Sequence, residues 1–301
     1  VYAQPEVFSD PSFDIGFRVT TKLSGDRPNE IGVVHTPQQK DPHPPWRLAQ
    51  WGSEHLLLPG EVDREVDGAW RLQTAGKQVR IVGEPDGETT IALTVLGTSE
   101  FGGRLRKREE PWPHLLIEQK LGEEGKGITP SGLRFKAAFR VTRCEVSEGV
   151  ELAQLDPGLH TAQVSAYWTA HAFKDGSPTG EMFWFGIPFF DARYPIPPGH
   201  FAIDFAPGGG GKFISSLSGK LLYDQPTGDG AWHEVNLELL PNLAKGLEEA
   251  QVRGHMEGLS VTDFRLTSFN LGWELTGPYD ATIEIHGLSL QRNSEDAHAT
   301  E

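Results

Sequence analysis

The chain has 301 residues, is 37% hydrophobic, holds 35 Gly and 22 Pro, and carries a formal net charge of −15. That is enough apolar mass for one large core or two smaller ones, and the turn-rich composition favours strands. The acidic balance disfavours nucleic acid and anionic membranes as partners, and the lone Cys144 excludes an intrachain disulfide or a zinc site built on two cysteines.

The chain opens on "VYAQPEVF" without Met. Small Val1 and Ala3 before Gln4 fit the remnant of a signal-peptidase site, so a secreted or periplasmic protein is expected. No apolar run approaches the roughly 18 residues of a membrane span, so no transmembrane segment is expected.

Strand-like runs then recur at residues 13–21, 69–83, 89–97, 114–121, 133–146, 161–173, 181–190, 200–206, 212–223, 232–240, 263–275 and 281–290. Turn clusters such as "SGDRPNE", "EPDGE", "KDGSPTG" and "QPTGDGA" separate them. In the run at 133, Leu133, Phe135, Ala137, Phe139 and Val141 share one face, with Arg134, Lys136 and Arg140 on the other. That alternation is the mark of a half-buried antiparallel strand. One stretch reads as helix: "LPNLAKGLEEAQ" (240–251) sets Leu243, Leu247 and Ala250 on one stripe behind Pro241. The predicted fold is all-β, a concanavalin-like or jelly-roll antiparallel sandwich with this one short helix. It spans 1–301 as a single domain, with two tandem sandwiches, 1–155 and 156–301, as the alternative.

Two carboxylates stand out. Glu181 opens the run "EMFWFGIPFF", apolar on both faces and therefore internal. In "DFRLTSFNLGWEL", Phe269, Leu271, Trp273 and Leu275 form a core face, whereas Ser268, Asn270, Gly272 and Glu274 form a polar one. Gly272 reads as leaving room beside the Glu274 carboxylate, with Asn270 placed to bind a ligand or orient the acid. Two carboxyl groups facing each other across a groove are what glycoside hydrolysis needs: about 5–5.5 Å apart in retaining enzymes and roughly 6.5–9.5 Å in inverting ones.

These motifs resemble glycoside hydrolase family 12, the jelly-roll endoglucanases and xyloglucanases. The family's nucleophile lies in a Glu-(Ile/Leu)-Met-Ile-Trp strand, to which "EMFWF" (181–185) is similar; its acid/base lies in a Gln-x-Gly-x-Glu strand, to which "NLGWE" (270–274) is similar. The family also carries its single helix between the two. The resemblance covers about residues 160–290 and implies Glu181 as nucleophile and Glu274 as acid/base. Phe185 stands where the family has Trp, Asn270 replaces Gln, and Gly277 comes one residue early.

Further candidates follow from position. In "TAQVSAYWTAHAF", Gln163, Tyr167 and His171 share the polar face and are candidates to hydrogen-bond or stack on a sugar. Trp51, in "WRLAQWGSEHLL", suits a sugar platform, because pyranose C–H faces pack on rings. Asp191, in "FFDARYP", is a candidate ligand contact at the end of the Glu181 strand. Asp224 and Asp229, in "YDQPTGDG", are candidates for a structural calcium; no other metal and no cofactor is expected. "PGGGGK" (207–212) lacks the spacing of a phosphate loop and reads as a turn.

The expected function is hydrolysis of a β-linked polysaccharide by a retaining two-carboxylate mechanism, in a monomer or weak oligomer whose partner is a carbohydrate polymer or oligosaccharide. The alternatives are a non-catalytic carbohydrate-binding sandwich and a polysaccharide lyase, for which Arg134, Lys136 and Arg140 would supply cations.

Overall fold

The computed structural model describes residues 5–23, 30–36, 41, 43–65, 67–83, 88–123, 125–205 and 210–293. Val1, Ala3 and Gln4, on which secretion was inferred, lie outside the described residues, as do residues 207–209 of the "PGGGGK" turn. No described helix is long and apolar enough to cross a membrane.

Seventeen strands follow one another among the described residues. The first eight are β1 (Gly16–Thr20), β2 (Glu30–His35), β3 (Trp46–Ala49), β4 (Gly60–Glu61), β5 (Asp63–Arg64), β6 (Trp70–Gln73), β7 (Lys77–Gly83) and β8 (Thr89–Leu96). After a short helix, α1 (Gly97–Phe101), come β9 (His114–Lys120), β10 (Leu133–Val146), β11 (Ala162–Lys174), β12 (Ser177–Asp191), β13 (His200–Asp204), β14 (Lys212–Ser216) and β15 (His233–Glu238). Helix α2 (Leu239–Val252), β16 (Phe264–Leu275) and β17 (Tyr279–Arg292) complete the fold.

They form a jelly-roll β-sandwich of two sheets. The larger has the order β13-β14-β12-β11-β16-β9-β3-β1-β2-β4, the smaller β15-β10-β17-β8-β7-β6-β5. Pairing is mostly antiparallel, as expected, with three parallel pairs, β1/β3, β2/β4 and β12/β14. In each case a crossover returns the chain in the same direction.

Alternation builds the core. Trp168 and Ala170 of β11, Phe183 and Phe185 of β12, and Phe269 and Trp273 of β16 are all buried from the large sheet. Phe135 and Phe139 of β10 and Ile283 and Ile285 of β17 meet them from the small one. The Phe135 ring stands edge-on to Trp168 at 4.9 Å, and Trp273 Nε1 donates to the Leu93 carbonyl of the opposite sheet at 2.9 Å. Both indoles are therefore core groups, leaving the other face of each strand to define the molecule's surface.

Helix α2 has the expected stripe. Leu243, Leu247 and Ala250 are buried, and Gly246 brings the helix close to Ser215 and Phe183 on the inner side of the large sheet. Helix α1 has no counterpart in the sequence reading; five residues are too few to show a helical period. It is held by Asp280, whose carboxylate accepts from the Thr98 backbone N–H at 2.9 Å.

Gly272 is required by the backbone and not by a ligand. Its φ is +154°, and a Cβ there would lie 2.1 Å from the Leu115 carbonyl oxygen of β9. The space read as room beside Glu274 is filled by the neighbouring strand.

Candidate functional site

The outer face of the large sheet carries the polar halves of the alternating strands. Strand pairing aligns them in rows. One row runs Asp191 (β12), Gln163 (β11), Glu274 (β16) and His114 (β9). A second, four residues along β11, runs His200, Ser216, Gly186, Tyr167, Asn270, Glu118, Arg47 and Arg18 across eight strands. Neighbouring strands lie about 4.8 Å apart, so each row is a comb of side chains at roughly that spacing.

Glu274 is the centre of the first row. Its side chain is 23% exposed. Gln163 Nε2 donates to its Oε2 at 3.4 Å, and His114 Nε2 stands 3.8 Å from the same oxygen. Among the described residues no Lys or Arg reaches Glu274. The cations on this face are already engaged: Arg47 Nε donates to Glu118 at 2.7 Å, and Arg193 grips Asp191 through both Nε and Nη2.

Tyr167 lies over Gly186, where a Cβ would meet its ring at 2.4 Å, and it hydrogen-bonds with Ser165 and Ser216. Burial, and then the Glu274 charge, push its phenol above the ordinary tyrosine range, so it remains a neutral hydroxyl. Burial followed by the Arg193 charge holds the His200 imidazole below its ordinary range, opposed by Glu274 and Asp191. Tyr167 and His200 are thus both within electrostatic reach of Glu274.

An aromatic cluster flanks the row. The His114 ring is edge-on to Trp51 at 5.6 Å and 5.7 Å from Trp112, and the Arg106 guanidinium sits 5.3 Å from the Trp112 ring centre. Arg106 is held by backbone carbonyls, Thr276 O and Glu110 O at 2.7 Å each. It therefore pins the loop before β9 to the end of β16. Trp184 on the outer face of β12 and Trp112 both have buried indole N–H groups without a partner among the described residues.

The structure thus gathers Glu274, Gln163, Tyr167, Trp51 and, at the end of the row, Asp191. Asn270 lies in the second row beside Tyr167. Asp191 is no free ligand contact, because Thr161 Oγ1 and Arg193 occupy its oxygens.

His171 and Glu181 are elsewhere. His171 is eight residues along β11 from Gln163, about 27 Å at strand rise, and pairs with Met182. Glu181 precedes Met182 in the exposed end of β12. It borders the stretch where the β11–β12 register shifts and, like His171, lies about 27 Å along the sheet from the Gln163–Glu274 row at strand rise. The expectation that Glu181 and Glu274 face each other across a groove is therefore not met.

One further expectation changes. Arg134, Lys136 and Arg140 sit on the outer face of the small sheet, bonded to Glu238, Gln291 and Glu284, so they supply nothing to Glu274. Asp229 spends its carboxylate on Ala231 N and His233 Nε2, both of which hold it below the usual aspartate range. No group of three His, Cys, Asp or Glu side chains suited to a metal gathers among the described residues, at Asp224 and Asp229 or elsewhere.

Sequence reasoning missed His114, His200, Trp112 and Trp184. The signal for His114 was present: His114, Leu116, Glu118 and Lys120 alternate with buried Leu115 and Ile117. What it lacked was the neighbour, since pairing of β9 with β16 spans some 150 residues of chain.

No family model and no curated protein matches the chain. Among solved structures it is similar to a family 12 xyloglucanase from Bacillus licheniformis, at TM-score 0.40 and 11% identity over 82% of this chain and 100% of that one. It is also similar to an endoglucanase from Rhodothermus marinus, at TM-score 0.36 and 11% identity over 76% and 96%. A family 11 xylanase from Neocallimastix patriciarum follows at TM-score 0.34 and 9% identity over 75% and 95%. The resemblance to family 12 enzymes found here is one of sandwich architecture.

Proposed function

We propose that the outer face of the large sheet binds a β-linked polysaccharide, with Glu274 as the central polar group. The observation that carries this reading is the row Gln163–Glu274–His114 with Tyr167 and the Trp51–His114–Trp112 cluster beside it. Amide, hydroxyl and carboxylate groups at strand spacing match the hydroxyls of a sugar chain, and aromatic rings match its C–H faces. The engaged state of Arg47 and Arg193 speaks against a uronic polymer, whose carboxylates need free cations, and so against a lyase. Such recognition requires no cofactor.

A second reading is hydrolysis, with Glu274 as the proton-donating acid/base. What favours it is a carboxylate only 23% exposed, with Gln163 Nε2 donating to one oxygen, His114 Nε2 beside it, and no Lys or Arg on it among the described residues. Glu181 is not proposed as its partner, because a retaining pair needs the carboxyl groups about 5–5.5 Å apart.

The test is a panel of β-glucan, xyloglucan and polygalacturonate, scored by affinity electrophoresis, release of reducing ends and ultraviolet absorbance of unsaturated product. Retardation by a neutral β-glycan, weakened at least tenfold in Glu274→Gln and unchanged in Glu181→Gln, is expected. Reducing ends lost in Glu274→Gln would establish the hydrolytic reading. Binding to none of the polymers, or an unsaturated product from polygalacturonate, overturns the proposal.

A further inference from the structure

His114 has its tautomer fixed by the backbone. Its Nδ1 faces two carbonyl oxygens, Trp112 O at 2.9 Å and Trp51 O at 3.2 Å. A carbonyl oxygen only accepts, so Nδ1 must carry a hydrogen in both charge states of the ring. In the neutral ring Nε2 is then a bare lone pair. That nitrogen stands 3.8 Å from Glu274 Oε2, which is also an acceptor when ionised. Two acceptors facing each other repel unless a proton lies between them.

We propose that His114 and Glu274 form one proton-sharing unit, in which the carboxyl proton of Glu274 passes to His114 Nε2 and back. The step makes a carboxylate and an imidazolium from a carboxylic acid and an imidazole, and nothing else changes. It closes over a gap that one side-chain adjustment or one bridging water spans. The inference deepens the reading of Glu274 as the acid/base of the groove: His114 is the positioning residue that stores its proton. Gln163 Nε2, donating to the same Oε2, holds the carboxylate in place for the exchange.

The other charged and titratable groups facing the pair are known. Tyr167 of β11 stays a neutral phenol, its hydroxyl proton unavailable at ordinary pH. His200 of β13 feels both Glu274 and Asp191, but its ring is held towards the neutral form by burial and Arg193. Asp191 of β12 is committed to Arg193 and Thr161. Arg106 stands over the Trp112 ring at 5.3 Å and is held by the Thr276 and Glu110 carbonyls. His114 is thus the titratable group placed beside the Glu274 oxygen, at 3.8 Å.

The experiment is two-bond proton–nitrogen correlation NMR of the histidine rings in uniformly labelled protein between pH 4 and 9, with His114 assigned by its loss in His114→Asn. The neutral ring is expected as the Nδ1–H form. Its titration midpoint is expected to fall by about one pH unit in Glu274→Gln, because the negative partner is removed while a Gln163 contact is kept. A neutral Nε2–H ring in the wild type overturns the proposal without any variant, and so does a midpoint unmoved by Glu274→Gln. The signature is read without substrate, so it survives or fails separately from polysaccharide binding. A sound proton pair in a protein that binds no glycan would sink the functional reading alone.

Discussion

Glu118 occupies the second row of the outer face, and its charge is there only because Arg47 is. Burial pushes the Glu118 carboxyl above the ordinary glutamate range, and the Arg47 and Arg18 charges work against that shift. Removing Arg47 leaves an uncompensated carboxylate at a site where only 13% of the side chain meets solvent. Breaking such a pair costs about 3 kcal/mol, the lower end of the range for buried ion pairs, since neither side chain is fully enclosed. The sign of the pH dependence follows. A carboxyl whose folded-state pKa is raised binds more protons folded than unfolded, so stability falls as pH rises from the unfolded value through the folded one. Arg47→Met should therefore lose about 3 kcal/mol in urea unfolding at pH 7 and clearly less at pH 4. An equal loss at both pH values would mean that Glu118 is solvated in the variant.

At the scale of elements, alternation carried most of the reading. Strand β10 has the bounds the hydrophobic period predicted, Leu133–Val146, and β16 begins one residue late, because both pack one face on the core and leave one in water. Strands β2 to β5 were not resolved as strands. They run for only six, four, two and two residues, so their sequences carry little period. Register was the larger loss. The β11–β12 pairing brings Asp191, and not Glu181, to the row of Gln163 and Glu274. Which residue of β12 stands opposite Gln163 depends on the hairpin register and its bulges, which local alternation does not reveal. Glu274, by contrast, was legible from its own strand, since Trp273 beside it had to be core. Helix α2 was legible for the same reason, and its stripe gives a test. Leu243 is fully buried against the large sheet's inner side. Leu243→Ala should cost about 2–5 kcal/mol, whereas Glu248→Ala on the exposed side should stay within about 0.5 kcal/mol. Similar small losses for both in thermal or urea unfolding would mean that α2 is not docked.

At the scale of the molecule the question is whether the chain folds once or twice. Strands from both halves enter both sheets: β8 pairs with β17 along seven residues, and β9 lies between β16 and β3. Neither half owns a sheet. A fragment ending near residue 155 would keep β8 and β9 but expose the edges on which β17 and β16 lie, and with them Leu93, Leu115 and Ile117, all now buried. Unpaired edges of apolar strands aggregate before they fold. We therefore propose residues 1–301 as one cooperative unit. The indoles allow a clean readout, because Trp46, Trp51, Trp70 and Trp112 report the first half and Trp168, Trp184, Trp232 and Trp273 the second. Trp→Phe variants that retain only one set should unfold in urea with the same midpoint and slope by fluorescence, coincident with loss of strand circular dichroism. Two midpoints, one for each set of indoles, would show that the halves are separable and that the interleaved sheets are not what makes the fold cooperative. Coincidence would mean that the Glu274 row, whose members come from β9, β11, β12 and β16, assembles only when the whole sandwich closes. Any variant that weakens the fold would then weaken glycan binding in proportion to its unfolded population, so a true site residue must be recognised by a loss of binding that leaves the urea midpoint in place.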